Sequence, residues 1–287
     1  MTPNPKPSES TSAGGSAGAG SAAGAGTQSA TSADARPLNI VVTGAAGGIG
    51  HALAARMVQG GARVVMTDVQ DEVLERAAAL GAHGVVSDIA TESGVQLLVA
   101  TARAELGSID VWFGNAGIER GGGLETSEAD WSRTHEINVM AHVRTSRLLV
   151  PEWVERGRGR YIVTASAAGL LTMLGSPSYS VSKHGAVAFA EWLSATYRHK
   201  GDVVQAICPQ GVQTQMLEQP GLLKDLLSHD TALTPEAVAE LAWQSLQHDR
   251  FLILPHPEVG DYYARRATDT DSWLGGMNRL QQKVEAF

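Results

Sequence analysis

The sequence predicts an α/β protein built on a single doubly wound parallel sheet. Short runs of β-branched and apolar residues alternate along the chain with longer segments of helical periodicity, which is the pattern of parallel strands joined by helical crossovers. The first such run, residues 38–42, leads directly into a glycine-rich turn and then into a helix. Right-handed crossovers are expected to place helices on both faces of the sheet.

The predicted strands and helices follow one another in a regular order. Each strand is a short β-branched or apolar run, and these runs cover residues 38–42, 63–67, 84–87, 109–113, 160–165, 203–207 and 251–254. Helical periodicity lies between the strands, at residues 52–58, 72–79, 92–106, 128–156, 179–199, 216–228 and 235–247. Gly60 and Gly61 end the first helix, and Pro151 marks a position at which the long fourth helix can break or bend.

The segments outside this alternation divide the chain into three parts. Residues 1–36 are rich in Ser, Ala, Gly, Thr and Pro, with no large apolar residue after Met1. We interpret them as a disordered tail, because they cannot bury enough apolar surface to offset the entropy of ordering. Residues 37–258 hold the predicted sheet, and residues 259–287 are interpreted as a C-terminal helical extension.

Composition and charge narrow the classes of function. A net charge of −8 without a run of Lys or Arg argues against nucleic acid and anionic membranes as partners. The single cysteine, Cys208, excludes an intrachain disulfide framework and indicates a reducing compartment, so we expect a cytoplasmic protein. The nine histidines show no metal-ligand spacing, and no apolar stretch is long enough to span a bilayer. We therefore expect neither a metal site nor a membrane partner.

The glycine-rich turn after the first strand is a candidate site for a pyrophosphate. Its glycines, Gly44, Gly48 and Gly50, would let a phosphate approach the backbone, and the next helix would present free N–H groups to it. The spacing G-x3-G-x-G differs from the common G-x-G-x-x-G fingerprint. A simple tight connection between strand and helix is the alternative interpretation.

Asp68 favours the dinucleotide interpretation over the simple turn. It stands at the end of the second strand, where a carboxylate can accept hydrogen bonds from the hydroxyls of an adenosine ribose. Because the same carboxylate would repel a 2′-phosphate, Asp68 favours NAD and disfavours NADP. A role as a helix N-cap is the alternative, and the two roles are compatible.

A candidate acid/base pair lies in the second half of the chain. Tyr179 and Lys183 are four residues apart and share one helix face, and Ser166 precedes Tyr179 by thirteen residues. A free Tyr hydroxyl titrates near ~10, which is too high for a base at neutral pH. A fixed cation favours the phenolate, so we expect Lys183 to lower the pKa of Tyr179.

These residues together resemble the short-chain dehydrogenase/reductase family over about residues 37–254. The resemblance rests on Thr43-Gly-x3-Gly-Ile-Gly50, Gly114-Asn-Ala-Gly117, Asn138, Ser166, Tyr179-x3-Lys183 and Pro209-x2-Val212-x-Thr214, in the order and at the intervals typical of the family. It implies that residues 37–258 form a Rossmann-type catalytic domain that binds NAD(H) and transfers a hydride between a secondary alcohol and a ketone.

The resemblance also implies a role for each matching residue. Tyr179 would be the acid/base, Lys183 would bind the nicotinamide ribose, Ser166 would hydrogen-bond the substrate oxygen, and Asn138 would hold a water of the proton relay. The implied cofactor-binding residues are Gly44, Gly48, Ile49 and Gly50 at the pyrophosphate, Asp68 at the adenosine ribose, Asp88 and Ile89 at the adenine, Asn115, Ala116 and Gly117 along the dinucleotide, Tyr179 and Lys183, and Val212 and Thr214 at the carboxamide.

Three departures from the family pattern are visible. Gly114 stands where the family usually has a first asparagine, and Gln210 separates the usual Pro-Gly pair. Residues 255–259 replace the glycine-containing segment with which many members build a tetramer. We therefore expect a homodimer, formed through the helices of Asn138 and Tyr179, in preference to a homotetramer.

Several of these residues also have a plain structural interpretation. Ser166 can bond to the backbone of its own loop, and Asn138 can face a polar crevice or bend its helix. His142 is interpreted as a solvated or interfacial residue, and His184 is expected to point away from the catalytic face.

The predicted activity is that of an NAD-dependent alcohol dehydrogenase or carbonyl reductase. The apolar residues 170–174 and the leucines of 216–227, interpreted as a mobile lid, indicate a hydrophobic substrate. An amphipathic helix packed on the core is the alternative for the second segment. Two other functions stay open: a sugar-nucleotide epimerase or dehydratase, and a non-catalytic dinucleotide sensor.

Overall fold

The protein is described by a computed structural model that covers residues 36–218 and 232–286. The described residues form one seven-stranded sheet, whose strands are β1 (Asn39–Thr43), β2 (Arg63–Asp68), β3 (His83–Val86), β4 (Val111–Gly114), β5 (Gly159–Thr164), β6 (Asp202–Ile207) and β7 (Leu252–Ile253). The strand order is β3-β2-β1-β4-β5-β6-β7, and every neighbouring pair is parallel. The predicted doubly wound parallel sheet is confirmed.

Helices connect the strands and cover both faces of the sheet. They are α1 (Gly48–Gln59), α2 (Glu72–Leu80), α3 (Glu92–Leu106), α4 (Glu128–His135), α5 (Ala141–Arg156), α6 (Pro177–Tyr197), α7 (Gln215–Glu218), α8 (Pro235–Ser245), α9 (Glu258–Thr268) and α10 (Thr270–Glu285). Short 3-10 turns lie at Gly123–Glu125, Ala167–Gly169 and Arg198–Lys200.

The sheet separates two apolar cores. Successive strand residues point to opposite faces, so Ile40 and Val42 enter one core while Val41 enters the other. Helices α1, α2 and α8 close the first core, and α3, α5, α6 and Val259 of α9 close the second. Burial on both faces explains why the strands are continuous apolar runs without alternation.

The predicted long helix over residues 128–156 is interrupted, but not at Pro151. A π-helical segment, Glu136–Met140, separates α4 from α5, and Pro151 lies inside an unbroken α5. Pro151 is exposed, so water can satisfy the carbonyl group that a proline leaves without its helical partner. The helix does not break at Pro151, and the irregular segment contains Asn138 instead.

Some predictions fall on residues that the structure does not describe. Residues 1–35 of the interpreted tail and residues 219–227 of the interpreted lid lie outside the described ranges. Of the predicted helix at 216–228, only its start corresponds to a described element, α7. The division of the chain into a tail, a catalytic domain and an extension stays a prediction.

Candidate active site

The candidate site lies where the strand order of the sheet reverses. β1 and β4 are neighbours, and the chain leaves β1 toward α1 on one face and β4 toward α5 on the other. The segments that follow two such strands go to opposite faces of the sheet. The crevice that this leaves at the carboxyl ends of the strands is the usual ligand site of open α/β sheets. The glycine turn and Asn115 both stand at this crevice.

The glycine turn packs so tightly that neither Gly44 nor Gly50 has room for a side chain. Gly44 has a φ of +65°, and a Cβ there would lie 2.7 Å from the Cα of Ala116. A Cβ on Gly50 would lie 2.0 Å from the carbonyl oxygen of Gly44 and 2.6 Å from Nδ2 of Asn115. The glycines therefore bring α1 against the end of β1, with Ile49 packed on the core.

The N-terminus of α1 is open to an anion. Its N-cap, Gly47, is extended and supplies no side-chain cap, and a Cβ built on Gly47 would meet no atom within 4 Å. Free N–H groups and the positive end of a helix are an anion site. The turn thus fits a dinucleotide pyrophosphate, which would rest on the backbone at Gly47, Gly48 and Ile49.

Thr43 and Asn115 lock this turn to the end of β4. The Thr43 hydroxyl accepts from the backbone N–H groups of Asn115 and Ala116, both at 3.0 Å. The Asn115 amide donates to the carbonyl oxygen of Thr43 at 3.0 Å. Asn115 therefore shapes the wall of the crevice, while Thr43, to which the sequence analysis assigned no role, is the acceptor that holds it.

Asp68 joins the end of β2 to the glycine turn. One carboxylate oxygen accepts from the backbone N–H of Ala46 at 3.0 Å, and the other from that of Val69 at 2.8 Å. The N-cap of α2 is Asp71, so the alternative in which Asp68 caps this helix is wrong. The side chain is half-buried, and its remaining lone pairs can accept from ribose hydroxyls.

The predicted adenine residues lie beyond β3. Asp88 accepts from the backbone N–H of Ala90 at 3.0 Å and pairs with Arg133 of α4 at 3.1 Å. Ile89 is buried in the core. This pairing ties the loop after β3 to α4 and fixes one side of the crevice.

Val212 and Thr214, which were predicted to bind the nicotinamide carboxamide, lie on the opposite side of the crevice. Val212 is buried and bridges to Leu233 in an isolated parallel pairing. A Cβ on Gly48 would lie 3.1 Å from Cγ2 of Thr214, so Thr214 stands directly over the glycine turn. The backbone N–H of Gln210, the additional residue of this loop, donates to Nδ1 of His256 at 3.1 Å.

Lys183 and Asn138 meet at the centre of the site. The buried ammonium of Lys183 donates to the carbonyl oxygen of Thr164 at 2.8 Å. Asn138 pairs with both backbone groups of Ile118 at 2.9 Å and donates to the hydroxyl of Ser182 at 2.9 Å. A Cβ on Gly117 would lie 3.1 Å from Nζ of Lys183 and 3.3 Å from Oδ1 of Asn138. Gly117 therefore lies close to both Asn138 and Lys183.

Ser182 is a site residue that the sequence analysis missed. Its hydroxyl donates to the carbonyl oxygen of Tyr179 at 2.8 Å and accepts from Asn138. The spacing carried a signal, because residues 179, 182 and 183 stand at i, i+3 and i+4 and share one helix face.

Tyr179 is buried and hydrogen-bonded to Ser166. Burial raises the pKa of Tyr179 to about 12, the bond with Ser166 acts in the opposite direction, and the nearby carboxylate of Glu119 raises the pKa further. The prediction that Lys183 lowers this pKa is wrong for the structure. The ammonium points to the carbonyl of Thr164 and lies 5.6 Å from the centre of the Tyr179 ring, and burial lowers its own pKa to about 8.

Ser166 sits at the end of β5 and bonds to the backbone of its own loop. Its hydroxyl accepts from the backbone N–H of Ala168 at 3.1 Å and caps the turn Ala167–Gly169. It also forms the hydrogen bond with Tyr179. The structure thus shows the loop role of Ser166, and its role at the substrate oxygen stays a prediction.

Gly114 and His142 explain the missing first asparagine. A Cβ on Gly114 would lie 2.6 Å from Nδ1 of His142, and that nitrogen is 3.2 Å from the hydroxyl of Tyr161. His142 is buried, and burial, with a smaller effect of Lys183, lowers its pKa to about 3. The solvated or interfacial interpretation of His142 was wrong, because the imidazole fills the space that Gly114 leaves.

The segment after Ser166 is apolar and strained. Leu170 and Leu171 are buried, and Thr172 has a φ of +89°. A β-branched residue in this region is an outlier that costs on the order of 1–3 kcal/mol. Such strain persists only when the surrounding contacts impose it, and here Ser180 bonds both the N–H (2.8 Å) and the carbonyl (3.1 Å) of Met173.

The fold and the site define a dinucleotide-dependent oxidoreductase, and comparison with known proteins gives the family. The sequence profile described as short chain dehydrogenase matches residues 38–221. The chain belongs to the short-chain dehydrogenase/reductase family.

Relatives and solved structures agree with this membership. The chain is 39% identical over 230 residues to a 1-deoxy-11-beta-hydroxypentalenate dehydrogenase of Streptomyces exfoliatus, covering 76% of this chain and 83% of the relative. It is 31% identical to the oxidoreductase UcpA of Salmonella typhimurium over 248 residues, covering 84% and 91%. The crystal structure of a short chain dehydrogenase/reductase from Burkholderia phymatum in complex with NAD superposes with a TM-score of 0.75 and 28% identity, covering 82% of this chain and 94% of that one.

Within residues 36–218 and 232–286, no three His, Cys, Asp or Glu side chains are grouped as metal ligands. No helix among the same residues is long and apolar enough to cross a membrane.

Proposed function

We propose that the protein is an NAD(H)-dependent oxidoreductase that interconverts a hydrophobic secondary alcohol and its ketone. The observation that carries this proposal is the placement of the buried Tyr179 and Lys183 on one helix face, with Lys183 beside Gly117 and close to a turn that fits a pyrophosphate. A relative that is named as a dehydrogenase of a hydroxylated compound supports a hydroxyl-bearing substrate.

Tyr179 is the proposed acid/base. A bound nicotinamide supplies the hydride donor or acceptor. In ketone reduction the Tyr179 phenol gives its proton to the substrate oxygen as the hydride arrives at carbon, and in alcohol oxidation the phenolate takes that proton. Ser166 donates a hydrogen bond to the same oxygen without contributing charge.

Lys183 and Asn138 support this proton transfer. The Lys183 ammonium can bind ribose hydroxyls with the donors that Thr164 does not use. Asn138 holds the Gly117–Ile118 backbone and the Ser182 hydroxyl in place, and it is the proposed anchor of a water that connects Lys183 to solvent.

Asp68 is the proposed determinant of NAD over NADP. A carboxylate at the end of β2 accepts from the 2′- and 3′-hydroxyls of an adenosine ribose and repels a 2′-phosphate. Two similar solved structures are complexes with NAD and with NADH. In Asp68→Ser, the preference for NADH over NADPH is expected to fall by about tenfold, which corresponds to ~1.4 kcal/mol. An unchanged preference would place the determinant elsewhere.

The substrate side of the site supports a hydrophobic compound. The segment after Ser166 is the proposed apolar wall of the substrate side: Leu170 and Leu171 are buried, and Met173 is tied to Ser180. Arg120, three residues after Gly117, pairs with Asp130 at 3.7 Å, and the neighbouring Glu119 bonds to Ser176. A carboxylate at the mouth disfavours phosphate and acyl-phosphate substrates by like-charge repulsion.

The first test is a turnover assay with purified protein. The absorbance of reduced nicotinamide is followed with NADH and a panel of aryl and aliphatic ketones, with NAD and the matching alcohols, and with sugar nucleotides as a separate arm. Turnover of an apolar ketone or alcohol is expected. Conversion of sugar nucleotides alone would support the epimerase or dehydratase, and NADH binding without any turnover would support the sensor.

We also propose that the protein is a cytoplasmic homodimer, in preference to a homotetramer. Val181 and Trp192 on α6 are 57% and 54% exposed. Because eleven residues make three helical turns, the two side chains share one face. An apolar stripe on the helix that carries Tyr179 is a surface that a second copy can cover.

A further inference from the structure

Helix α9 presents one face to the body of the protein, and Arg266 belongs to that face. Val259 is fully buried, and Tyr263 packs against the core shared by α3, α5 and α6. Residues 259, 263 and 266 stand at i, i+4 and i+7 of the same helix, so they point in the same direction. The neighbouring Arg265 is exposed on another face.

Arg266 connects α9 to the catalytic helix. Its Nη1 donates to the carbonyl oxygen of Leu170 and lies 2.9 Å from Nε2 of His184. Nδ1 of His184 lies 2.9 Å from the carbonyl oxygen of Ser180, which can only accept. Nδ1 therefore carries the hydrogen of the imidazole, and Nε2 accepts from Arg266. His184 follows Lys183 directly and, as expected, does not point into the site.

The same contacts hold the strained segment, defined as residues 170–174. Arg266 binds it at Leu170, and Ser180 binds it at Met173 through both backbone groups. Thr172, with a φ of +89°, lies between these two attachment points. Strain of this kind needs contacts on both sides to persist. One chain of hydrogen bonds thus joins α9, α6 and the strained segment.

We propose that Arg266 is a positioning residue for the substrate side of the active site. It holds the strained segment against α6, so that the apolar wall beyond Ser166 stands in place before the substrate binds. This inference rests on the proposed oxidoreductase function for its kinetic consequence. Its structural consequence, a segment held by Arg266, does not depend on turnover.

The arrangement separates substrate binding from chemistry. Ser166 is held by the N–H of Ala168, and Lys183 by the carbonyl of Thr164. Neither contact involves Arg266. Loss of Arg266 lets Thr172 return to a relaxed backbone and moves the wall, while Ser166, Tyr179 and Lys183 keep their partners. KM for the substrate is therefore expected to rise and kcat to change little.

The first experiment measures the strained segment directly. Arg266→Gln, Arg266→Lys and the control Arg265→Gln are compared with wild type by hydrogen–deuterium exchange over residues 168–176. Arg265 and Arg266 both lie in the last turn of α9, so both glutamine variants remove one charge from the same helix end. Exchange in this segment is expected to accelerate about tenfold in Arg266→Gln, the effect of one charged hydrogen bond, with Arg265→Gln unchanged and Arg266→Lys intermediate.

The second experiment measures kinetics and cofactor affinity on the same variants. KM is expected to rise about tenfold in Arg266→Gln, with kcat within about twofold and the Kd for NADH unchanged. Unchanged exchange in Arg266→Gln, or equal acceleration in Arg265→Gln, would overturn the inference whether or not a substrate is known. Faster exchange with an unchanged KM would also overturn it, whereas failure of wild type to turn over any substrate would overturn the proposed function alone.

Discussion

Tyr179 carries the proposed chemistry in an environment that opposes its ionisation. Burial raises its pKa to about 12, against a single hydrogen bond from Ser166 that acts the other way. The neutral phenol is therefore the form present at neutral pH, which suits the acid of a ketone reduction. Alcohol oxidation needs the phenolate, so the two directions should respond differently to pH.

The first prediction at this scale concerns Tyr179→Phe and the pH profile. The variant should lower kcat by about 10²–10⁴-fold, because proton transfer is lost, with NADH affinity near normal. In wild type, kcat/KM for oxidation should rise with pH from neutral toward the pKa of the phenol, while reduction stays nearly flat. Tyr197→Phe, on the same helix, is the control. Retained turnover in Tyr179→Phe would refute the acid/base role.

The second prediction concerns Asp202, a buried carboxylate at the start of β6. Both of its oxygens lack a hydrogen-bond partner among the described residues, and burial raises its pKa to about 6 although Arg156 and Lys200 act the other way. The carboxyl loses its proton near pH ~4 in the unfolded chain but near pH 6 in the folded protein. Between these two pH values the folded state binds more protons, so the free energy of unfolding falls as the pH rises from about 4 to about 6.

Asp202→Asn should therefore stabilise the protein at neutral pH by about 1 kcal/mol, after allowance for screening by the two cations. The gain should disappear as the pH falls toward ~4, where the carboxyl is protonated in both states. Urea unfolding at neutral and acidic pH measures the difference. A gain of equal size at both pH values would show that charge is not its cause.

At the scale of elements, the π-helical segment Glu136–Met140 shows how a local irregularity serves the site. An extra residue in a helical turn changes the direction in which the side chains of that turn point, and such π-helical turns are common at functional sites. Here the segment turns Asn138 toward Ile118 and Ser182, and three hydrogen bonds of 2.9 Å hold it there. The proline in the sequence suggested an interruption of the helix at residue 151. The interruption lies instead at Glu136–Met140, where Asn138 makes its tertiary hydrogen bonds.

The prediction at this scale concerns the packing of α1 on β1. A Cβ in Gly50→Ala would meet the carbonyl oxygen of Gly44 at 2.0 Å, so the helix must move away and stability should fall by about 1–3 kcal/mol or more. Because Asn115 lies at 2.6 Å from the same Cβ, NADH affinity should fall as well. Denaturant unfolding and NADH titration measure the two effects.

Gly47→Ala is the matched control in the same turn. Gly47 has a φ of −167°, which any residue adopts, and its Cβ would meet no atom within 4 Å. Stability should change by no more than about 0.5 kcal/mol. If both variants lost the same stability, the loss would come from any substitution in the turn and not from the close approach of α1 to β1.

For the whole molecule, the exposed stripe on α6 predicts the state of assembly. Light scattering should give twice the chain mass of 30.1 kDa, and Trp192→Glu should shift the protein toward the monomer, since a charge in an apolar interface is costly. Leu274→Glu on α10 is the control, because Leu274 is similarly exposed at 57%. A monomeric wild type, or dissociation by Leu274→Glu instead, would contradict the proposed interface.

The sequence alone was enough for the sheet, and it was the source of the proposed site at the glycine turn, Ser166, Tyr179 and Lys183. These depend on local patterns: apolar runs buried on both faces, glycines where a Cβ has no room, and residues four apart on one helix face. The sequence was not enough for the direction of the Tyr179 pKa, the burial of His142 against Gly114, or the link from Arg266 to Leu170 and His184. Each of these depends on residues far apart in the chain. Only the packed structure determines their distances and their exclusion from water, and these two quantities set desolvation and hydrogen bonding.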